Sequence, residues 1–289
     1  DTRVFREVKQ LGTELEKLGN ATLGAVNEAE VGIVFDWDNY WALEYTSGPS
    51  EDLTYVDQIQ QYYQFFYDRN IAVHMIPCDA DFGRYKMVVA PVLYMVKEGV
   101  KEALEKYVEQ GGVLVTTYMS GIVDQSDNVY LGGYPGPLRT LAGVWVEEID
   151  ALSPKQSNEV IFQDGTKASC GLLCELMHLE GAECLARYGQ DFYRDMPAVT
   201  KNRYGDGITY YIGTRMEEGL EKILESAVSD AQVKPVLEGT DGLEAVNSGE
   251  ADFFYGLSAA IEEDLQREHY PNVTSIATVN KSTDISVAL

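Results

Sequence analysis

Residues 31–41 read Val31-Gly-Ile-Val-Phe35 followed by Asp36-Trp-Asp-Asn-Tyr-Trp41. The first five are apolar and mostly β-branched or aromatic, without the polar alternation of a strand that has one wet face. Such a run suits a strand covered on both sides, as in a parallel sheet sandwiched by helices. Its carboxyl end delivers a carboxylate and two indoles to the edge where ligands of doubly wound folds usually sit.

Beyond that strand, residues 52–69 carry Val56, Ile59, Tyr63 and Phe66 at helical spacing, and Ile71-Ala-Val-His-Met-Ile76 reads as a second strand. Lys86-Met-Val-Val-Ala90 predicts a third strand and Glu98 to Gln110 a helix closed by Gly111-Gly112. Val113-Leu-Val-Thr-Thr117 predicts a fourth strand. The order β-α-β-β-α-β implies an α/β fold with a doubly wound sheet and helices on both faces. Further strands are expected at Glu159–Phe162, Ala182–Arg187 and Ile208–Ile212, with a closing helix from Glu217 to Ala227. The Gly/Pro-rich connection from Tyr118 to Pro137 is expected to be irregular and to serve function or an interface. Upstream, Val4, Phe5, Val8, Leu11, Leu15 and Leu18 form one apolar face of a helix that Gly19-Asn20 is expected to stop.

The chain has 289 residues, 45% of them hydrophobic, enough for one large domain or two modest ones. Its formal charge of −25 opposes nucleic acid or an anionic membrane as partner. No run of apolar residues is long enough to span a bilayer, and residues 1–6 lack the order of a signal peptide. A chain that opens on Asp1 inside a helical pattern is expected to be a piece of a longer polypeptide. The cysteines Cys78, Cys170, Cys174 and Cys184 show no disulfide pattern and suit a reducing compartment, so cytoplasm is expected. Cys170-Gly-Leu-Leu-Cys174 has the spacing of successive helical turns and is read as core packing, not a metal site. His178 is placed in a helix or at a helix end, His74 mid-strand and His269 in the tail, and none stands at metal-ligand spacing to another. No phosphate-binding glycine loop follows the first strand. Neither a metal nor a cofactor is therefore expected.

Three functional readings remain open on these residues. A hydrolase of the amidotransferase kind would need a nucleophile on the turn after the fourth strand, where Tyr118-Met-Ser-Gly121 offers only Ser120, without the flanking glycine of a strained elbow. A second reading, a solute-binding module centred on the C-terminal segment, rests on the resemblance of that segment given below. In the third reading, Trp37, Tyr40 and Trp41, with Tyr134 from the long connection, anchor an interface or stand beside a sugar. No catalytic residue is assigned.

Several runs decide among these. Asp1-Thr-Arg-Val-Phe-Arg-Glu-Val8, Val34-Phe-Asp-Trp-Asp-Asn-Tyr-Trp-Ala-Leu-Glu44 and Val113-Leu-Val-Thr-Thr-Tyr-Met-Ser-Gly-Ile-Val-Asp124 are three. Gly132-Gly-Tyr-Pro-Gly-Pro-Leu138 and His178-Leu-Glu-Gly-Ala-Glu183 complete the set. In order and spacing, over about residues 1–235, the chain resembles the β-galactosidases of glycoside hydrolase family 42. That resemblance implies a chain in which a (β/α)8 catalytic barrel with two glutamates precedes a flavodoxin-like, class I glutamine amidotransferase-like trimerisation domain and a small β-domain. It implies that residues 1–19 are the barrel's last helix and that 30–230 are the trimerisation domain, active as a homo-oligomer, with galactosides met through the parent enzyme. Neither catalytic glutamate, nor the family's cysteine zinc site, can be carried onto these residues. Past Val236 the likeness is expected to fail. Gly242–Gly256 and Lys281–Leu289 are instead similar to part of one lobe of bacterial extracellular amino-acid-binding domains, which implies a small α/β appendage over 236–289.

Overall fold

The computed structural model describes residues 2–24, 26–46 and 48–236, and three strands beyond them. Contacts divide the chain into a unit of residues 1–233 and a unit of residues 234–289.

Helix α1 (Arg3–Thr22) is capped by Thr2, whose hydroxyl accepts from the Phe5 N–H at 3.2 Å. It runs through Gly19-Asn20 instead of stopping there. A glycine inside a helix costs about 1 kcal/mol relative to alanine, too little to end one whose next residues keep their bonds. The helix ends where Gly24 adopts φ +83°.

The first half of the main sheet follows the expected alternation. Strand β1 (Val31–Val34) leads into α2 (Trp37–Tyr45) and α3 (Tyr55–Tyr67), then β2 (Val73–Ile76), β3 (Met87–Ala90), α4 (Val100–Glu109) and β4 (Val113–Thr117). β1 pairs in parallel with β2 and β3, and β3 pairs in parallel with β4. The second half adds α5 (Arg139–Ala142) and the strands β5 (Val144–Ala151), β6 (Asn158–Phe162), β7 (Lys167–Leu179), β8 (Glu183–Tyr188), β9 (Pro197–Tyr204), β10 (Gly207–Ile212) and β11 (Thr214–Met216). Helix α6 (Leu220–Ala231) closes the unit. The strand order is β11-β7-β6-β8-β9-β10-β4-β3-β1-β2, with β5 paired to β7. β10 joins β4 in parallel and β9 antiparallel, so the sheet changes character at β10.

Alternate residues of the parallel strands point to opposite faces, and both faces are covered. Val31, Ile33, Met87, Val89, Val113 and Val115 share one core with α3 and α6. Val88, Ala90 and Leu114 share the other with Val100, Leu104 and Val108 of α4. The buried face of α3 is rotated from the expected one: Tyr55, Ile59, Tyr62, Phe65 and Phe66 are inside, whereas Val56 and Tyr63 face out. Tyr55 sets that rotation, because its hydroxyl donates to the Val34 carbonyl at 3.3 Å and accepts from the Asp36 N–H at 3.4 Å.

Cys170 and Cys174 lie in strand β7, not in a helix, and His178 is in the same strand. Gly171-Leu-Leu-Cys-Glu-Leu-Met177 is buried on both faces, and short apolar runs of this kind fit helix and strand equally by period. Leu172 at φ +62° marks an irregularity, and the pairing with β11 shifts register beside it. The closing helix begins at Leu220, since β11 occupies Thr214–Met216 first.

In the C-terminal unit, β12 (Phe254–Leu257), β13 (Ser275–Val279) and β14 (Ile285–Ala288) form an antiparallel sheet in the order β12-β14-β13. Apart from these strands, the appendage expected over 236–289 lies outside the described residues from residue 237 on, and so does His269.

Candidate functional site

The carboxyl ends of β1, β3 and β4 meet at one edge of the sheet, and the chain leaving them is tied together by side chains. Asp36 caps α2, its Oδ1 accepting from the Asn39 N–H at 3.0 Å. Asn39 is buried and holds the exit from β3: its Nδ2 donates to the Val92 carbonyl at 3.0 Å, and its Oδ1 accepts from the Met95 N–H at 2.8 Å. Val92 itself sits at φ +47°. Lys97 bridges Asp36 Oδ2 at 2.8 Å and Asp38 Oδ2 at 2.6 Å, and the Cys78 thiol donates to Asp36 Oδ2 at 3.0 Å. Burial alone would raise the Asp36 carboxyl. Lys97, Cys78 and the Asn39 amide outweigh it and hold the group below the ordinary aspartate range. Burial next to that carboxylate pushes the Cys78 thiol up to about 12, so it is a poor nucleophile.

This framework presents the aromatic residues of α2. Phe35, Trp37, Tyr40 and Trp41 form a continuous ring cluster, with Trp37 edge-on to Phe35 at 5.0 Å and tilted against Trp41 at 6.1 Å. Tyr40 is half-buried and packs on the core. Trp37, Trp41 and Tyr45 recur every four residues along one stripe of α2 and are 59%, 51% and 88% exposed. Of the four aromatics singled out in the sequence, the structure brings Trp37, Tyr40 and Trp41 together. Tyr134 is placed apart from their ring cluster, between the main core and the small core under β5, with its carbonyl accepting from the Val146 N–H at 2.8 Å.

The connection from Tyr118 to Pro137 is irregular as expected, with no helix or strand before a 3-10 turn that begins at Gly136, but its first part is buried. Tyr118, Met119, Ile122 and Val123 are core residues, and only the stretch around Val129 and Leu131 reaches outward. Its two ends lock backbone to backbone: a Cβ on Gly121, at φ +64°, would stand 2.0 Å from the Pro135 carbonyl oxygen. Ser120 is fully buried, with its hydroxyl accepting from the Leu93 N–H at 3.1 Å and sharing a hydrogen bond with Thr116 at 2.9 Å. The described histidines are engaged elsewhere, His74 with Tyr85 and the Asn27 carbonyl, His178 with Glu147. A serine held this way is a structural tie, and the arrangement gives the amidotransferase-like reading no base and no exposed hydroxyl.

The sequence reading missed Glu175, in the middle of β7. It is fully buried, its Oε1 accepting from the Met119 N–H at 2.8 Å and its Oε2 from the Tyr211 hydroxyl at 2.8 Å. The signal was present: Glu175 is the one charged residue in an apolar run from Cys170 to Met177. Among the described residues no cluster of three or more His, Cys, Asp or Glu is placed to hold a metal, and no helix is long and apolar enough to cross a membrane.

Comparison with known proteins adds a family to this geometry. The family model described as the β-galactosidase trimerisation domain matches residues 29–234. The chain is 44% identical to the β-galactosidase LacZ of Lactobacillus acidophilus over 286 residues, which are 98% of this chain and 43% of that protein. It is 46% identical to the β-galactosidase BgaA of a Planococcus species, over 88% of this chain and 39% of the relative. The crystal structure of the β-galactosidase from Bacillus circulans sp. alkalophilus superposes with a TM-score of 0.77 at 45% identity, covering 83% of this chain and 37% of that one. The chain thus spans less than half the length of these relatives. The alignment with the Lactobacillus protein also runs past Val236, where the sequence reading expected the resemblance to end.

Proposed function

Because this chain belongs to the β-galactosidase trimerisation-domain family, we propose that it is an assembly module which joins copies of a longer β-galactosidase into a homotrimer. The observation that carries this reading beyond the family match is the aromatic stripe Trp37, Trp41 and Tyr45. Monomeric surfaces seldom leave several large aromatics in a row, and Trp and Tyr dominate interface hot spots. The rigid Asp36, Asn39 and Lys97 framework beneath fixes their direction at little entropic cost on association. The outward stretch around Val129 and Leu131 is the second part of the proposed contact, with Tyr134 bracing its base. An obligate interface of this kind buries on the order of 2,000 Å² or more.

The five neighbouring parallel strands in the order β2-β1-β3-β4-β10 support reading residues 30–230 as a flavodoxin-like, class I glutamine amidotransferase-like domain. Residues 1–19 are read as the last helix of a catalytic barrel, consistent with α1 exposing Val4, Phe5, Val8, Leu11 and Leu15. In this reading, retaining hydrolysis of terminal β-D-galactosyl residues belongs to the part of the parent chain that residues 1–289 do not span. Galactosides are then met through that part, in the cytoplasm, and 236–289 is a C-terminal appendage.

Replacing Trp37 and Trp41 together by alanine tests the surface. Sedimentation equilibrium should show association weakened about 30-fold, or roughly 2 kcal/mol, with the circular dichroism unchanged. An unaltered association constant removes α2 from the interface. A second reading, favoured by the carboxylates Asp38 and Glu44 among the indoles, makes the stripe one wall of a neighbour's sugar cleft. It predicts that in the parent enzyme the same two replacements raise the KM for a galactoside while the mass of the assembly stays unchanged.

A further inference from the structure

Two cysteines in the middle of β7 are brought together by an irregularity of the strand. Cys174 is paired with Thr214 and Cys170 with Met216, so four steps along β7 are matched by two along β11. In a regular strand four steps would set the two Cα atoms about 13 Å apart, whereas matched to two steps they stand roughly 6.6 Å apart. Disulfides span Cα separations up to about 6.8 Å. The slack is taken up around Leu172, a non-glycine residue at φ +62°. Thr214 and Met216 are two residues apart and present their side chains to one face, so their partners Cys174 and Cys170 share that face as well.

The side chains agree with the register. Cys174 Sγ lies 3.5 Å from Thr214 Oγ1. The same hydroxyl reaches Cys170, and each thiol acts directly on the other. Both thiols are fully buried, in the core that also holds Val160, Tyr188 and Met216. Contact with Cys174, together with burial, holds the Cys170 proton more tightly than in an ordinary cysteine. Contact with Cys170 outweighs burial at Cys174 and holds its thiol below the ordinary value, so Cys174 ionises first. The other two cysteines are engaged elsewhere, Cys78 with Asp36 and Cys184 with the Ala186 carbonyl at 3.3 Å. Among the described residues no third His, Cys, Asp or Glu joins the pair in a group that could hold a metal.

We propose that Cys170 and Cys174 are a redox site, a dithiol that hydrogen peroxide closes to a disulfide within β7 and that a small thiol reopens. Cys174 gives up its proton and its thiolate attacks one peroxide oxygen: an S–O bond forms, the O–O bond breaks, and hydroxide leaves behind a sulfenic acid. That hydroxide takes the Cys170 proton and becomes water. The Cys170 sulfur then attacks the sulfenic sulfur: the S–S bond forms, the S–O bond breaks, and the departing hydroxide takes up the proton that Cys174 released. The two sulfurs lose two electrons to the peroxide oxygens, and two waters result. Reopening is thiol–disulfide exchange, in which two small thiols return two hydrogens and leave as their own disulfide.

Burial selects the oxidant. Hydrogen peroxide is close to water in size and reaches the pair through local opening of β11, a strand of three residues at the end of the sheet order. A thiol standing beside the new sulfenic acid also outruns a second peroxide, which would take Cys174 on to an irreversible sulfinic acid. The bridge fixes the irregularity at Leu172 and, one residue beyond Cys174, the tie from Glu175 to the Met119 amide. No step depends on the assembly reading.

The test is mass spectrometry of the full chain after excess hydrogen peroxide at pH 7, with circular dichroism to show that it stays folded throughout. Free thiols are then blocked in denaturant and the chain is cut after Lys167 and after Glu175, which parts Cys170 and Cys174 from Cys184. In most chains the 168–175 peptide should be unblocked and two hydrogens lighter than its dithiol form, should return to the dithiol with dithiothreitol, and should form while Cys78 is still free. In Cys170→Ala the bridge is lost, and Cys174 should instead gain two or three oxygens that dithiothreitol does not remove. Should that variant fail to fold, the wild type decides alone, by the linkage and its reversal. A 168–175 peptide whose thiols stay free, or that gains oxygens without a linkage, overturns the proposal, as does a bridge from either thiol to Cys184. Cys174 left reduced in a folded Cys170→Ala chain overturns the roles given to the two thiols.

Discussion

Lys97 carries the electrostatics of the edge from which α2 departs. It neutralises Asp36, almost wholly buried, and Asp38, which is exposed. Replacing it by methionine keeps the stem but leaves the Asp36 carboxylate without its cation. Removing one partner of a largely buried pair costs about 3 kcal/mol; Lys97 keeps some exposure, so a loss of roughly 2–3 kcal/mol in urea unfolding at pH 7 is expected. Asp36 is held below its ordinary value of 3.8, so the stabilisation is present above that pH and lost as pH falls through the folded value. The difference between Lys97→Met and wild type should therefore shrink below about pH 4. A difference that persists there would assign the effect to packing of the lysine stem. Gly121 is a second sensitive residue. With φ +64° and a backbone oxygen where its Cβ would lie, Gly121→Ala should cost upwards of about 3 kcal/mol or prevent folding, read in the melting temperature.

Among the elements, the strands most legible in the sequence were those buried on both faces. Val31–Val34, Met87–Ala90 and Val113–Thr117 are uninterrupted apolar or β-branched runs, and the last two stand on either side of α4, whose period is clear. The second half was harder, because β5 mixes Trp145-Val with Glu147-Glu148, and β9 contains Thr200-Lys-Asn-Arg203, which periodicity alone reads as loop. These strands pair antiparallel and are partly wet, so apolar continuity is no guide to them. Of the site, the aromatic cluster at residues 37–41 was readable from composition. The ties that orient it, Asn39 to Val92 and Met95 and Glu175 to Met119, span more than fifty residues each and leave no local trace. Helix α1 gives a prediction at this scale. Its apolar stripe is exposed in this chain, so Phe5→Ser should move the unfolding free energy by less than about 0.5 kcal/mol. Ile59→Ala, in the buried face of α3, should cost about 2–5 kcal/mol. A large effect of Phe5→Ser would mean that α1 is packed in solution.

For the whole molecule, the charge of −25 sets the conditions of assembly. Copies of so acidic a chain repel one another, and the proposed contact is mainly aromatic, with the cations beside it, Lys97 and Arg139, already paired with Asp36, Asp38 and Glu180. Salt shortens the range of repulsion, from a Debye length of about 14 Å at 0.05 M to roughly 4 Å at 0.5 M, while leaving apolar burial in place. Association should therefore tighten with sodium chloride over that range, opposite to an interface held by ion pairs. Sedimentation equilibrium at the two salt concentrations decides the sign. Assembly of this chain through its own surface is tested by its molar mass in solution, by light scattering behind size exclusion in 0.5 M salt at pH 6. Three times 32.1 kDa is expected for the wild type, and for the variant with Trp37 and Trp41 replaced by alanine a mass that falls towards 32.1 kDa at concentrations where the wild type still holds together. A wild type that runs at 32.1 kDa over all concentrations would contradict assembly through that surface.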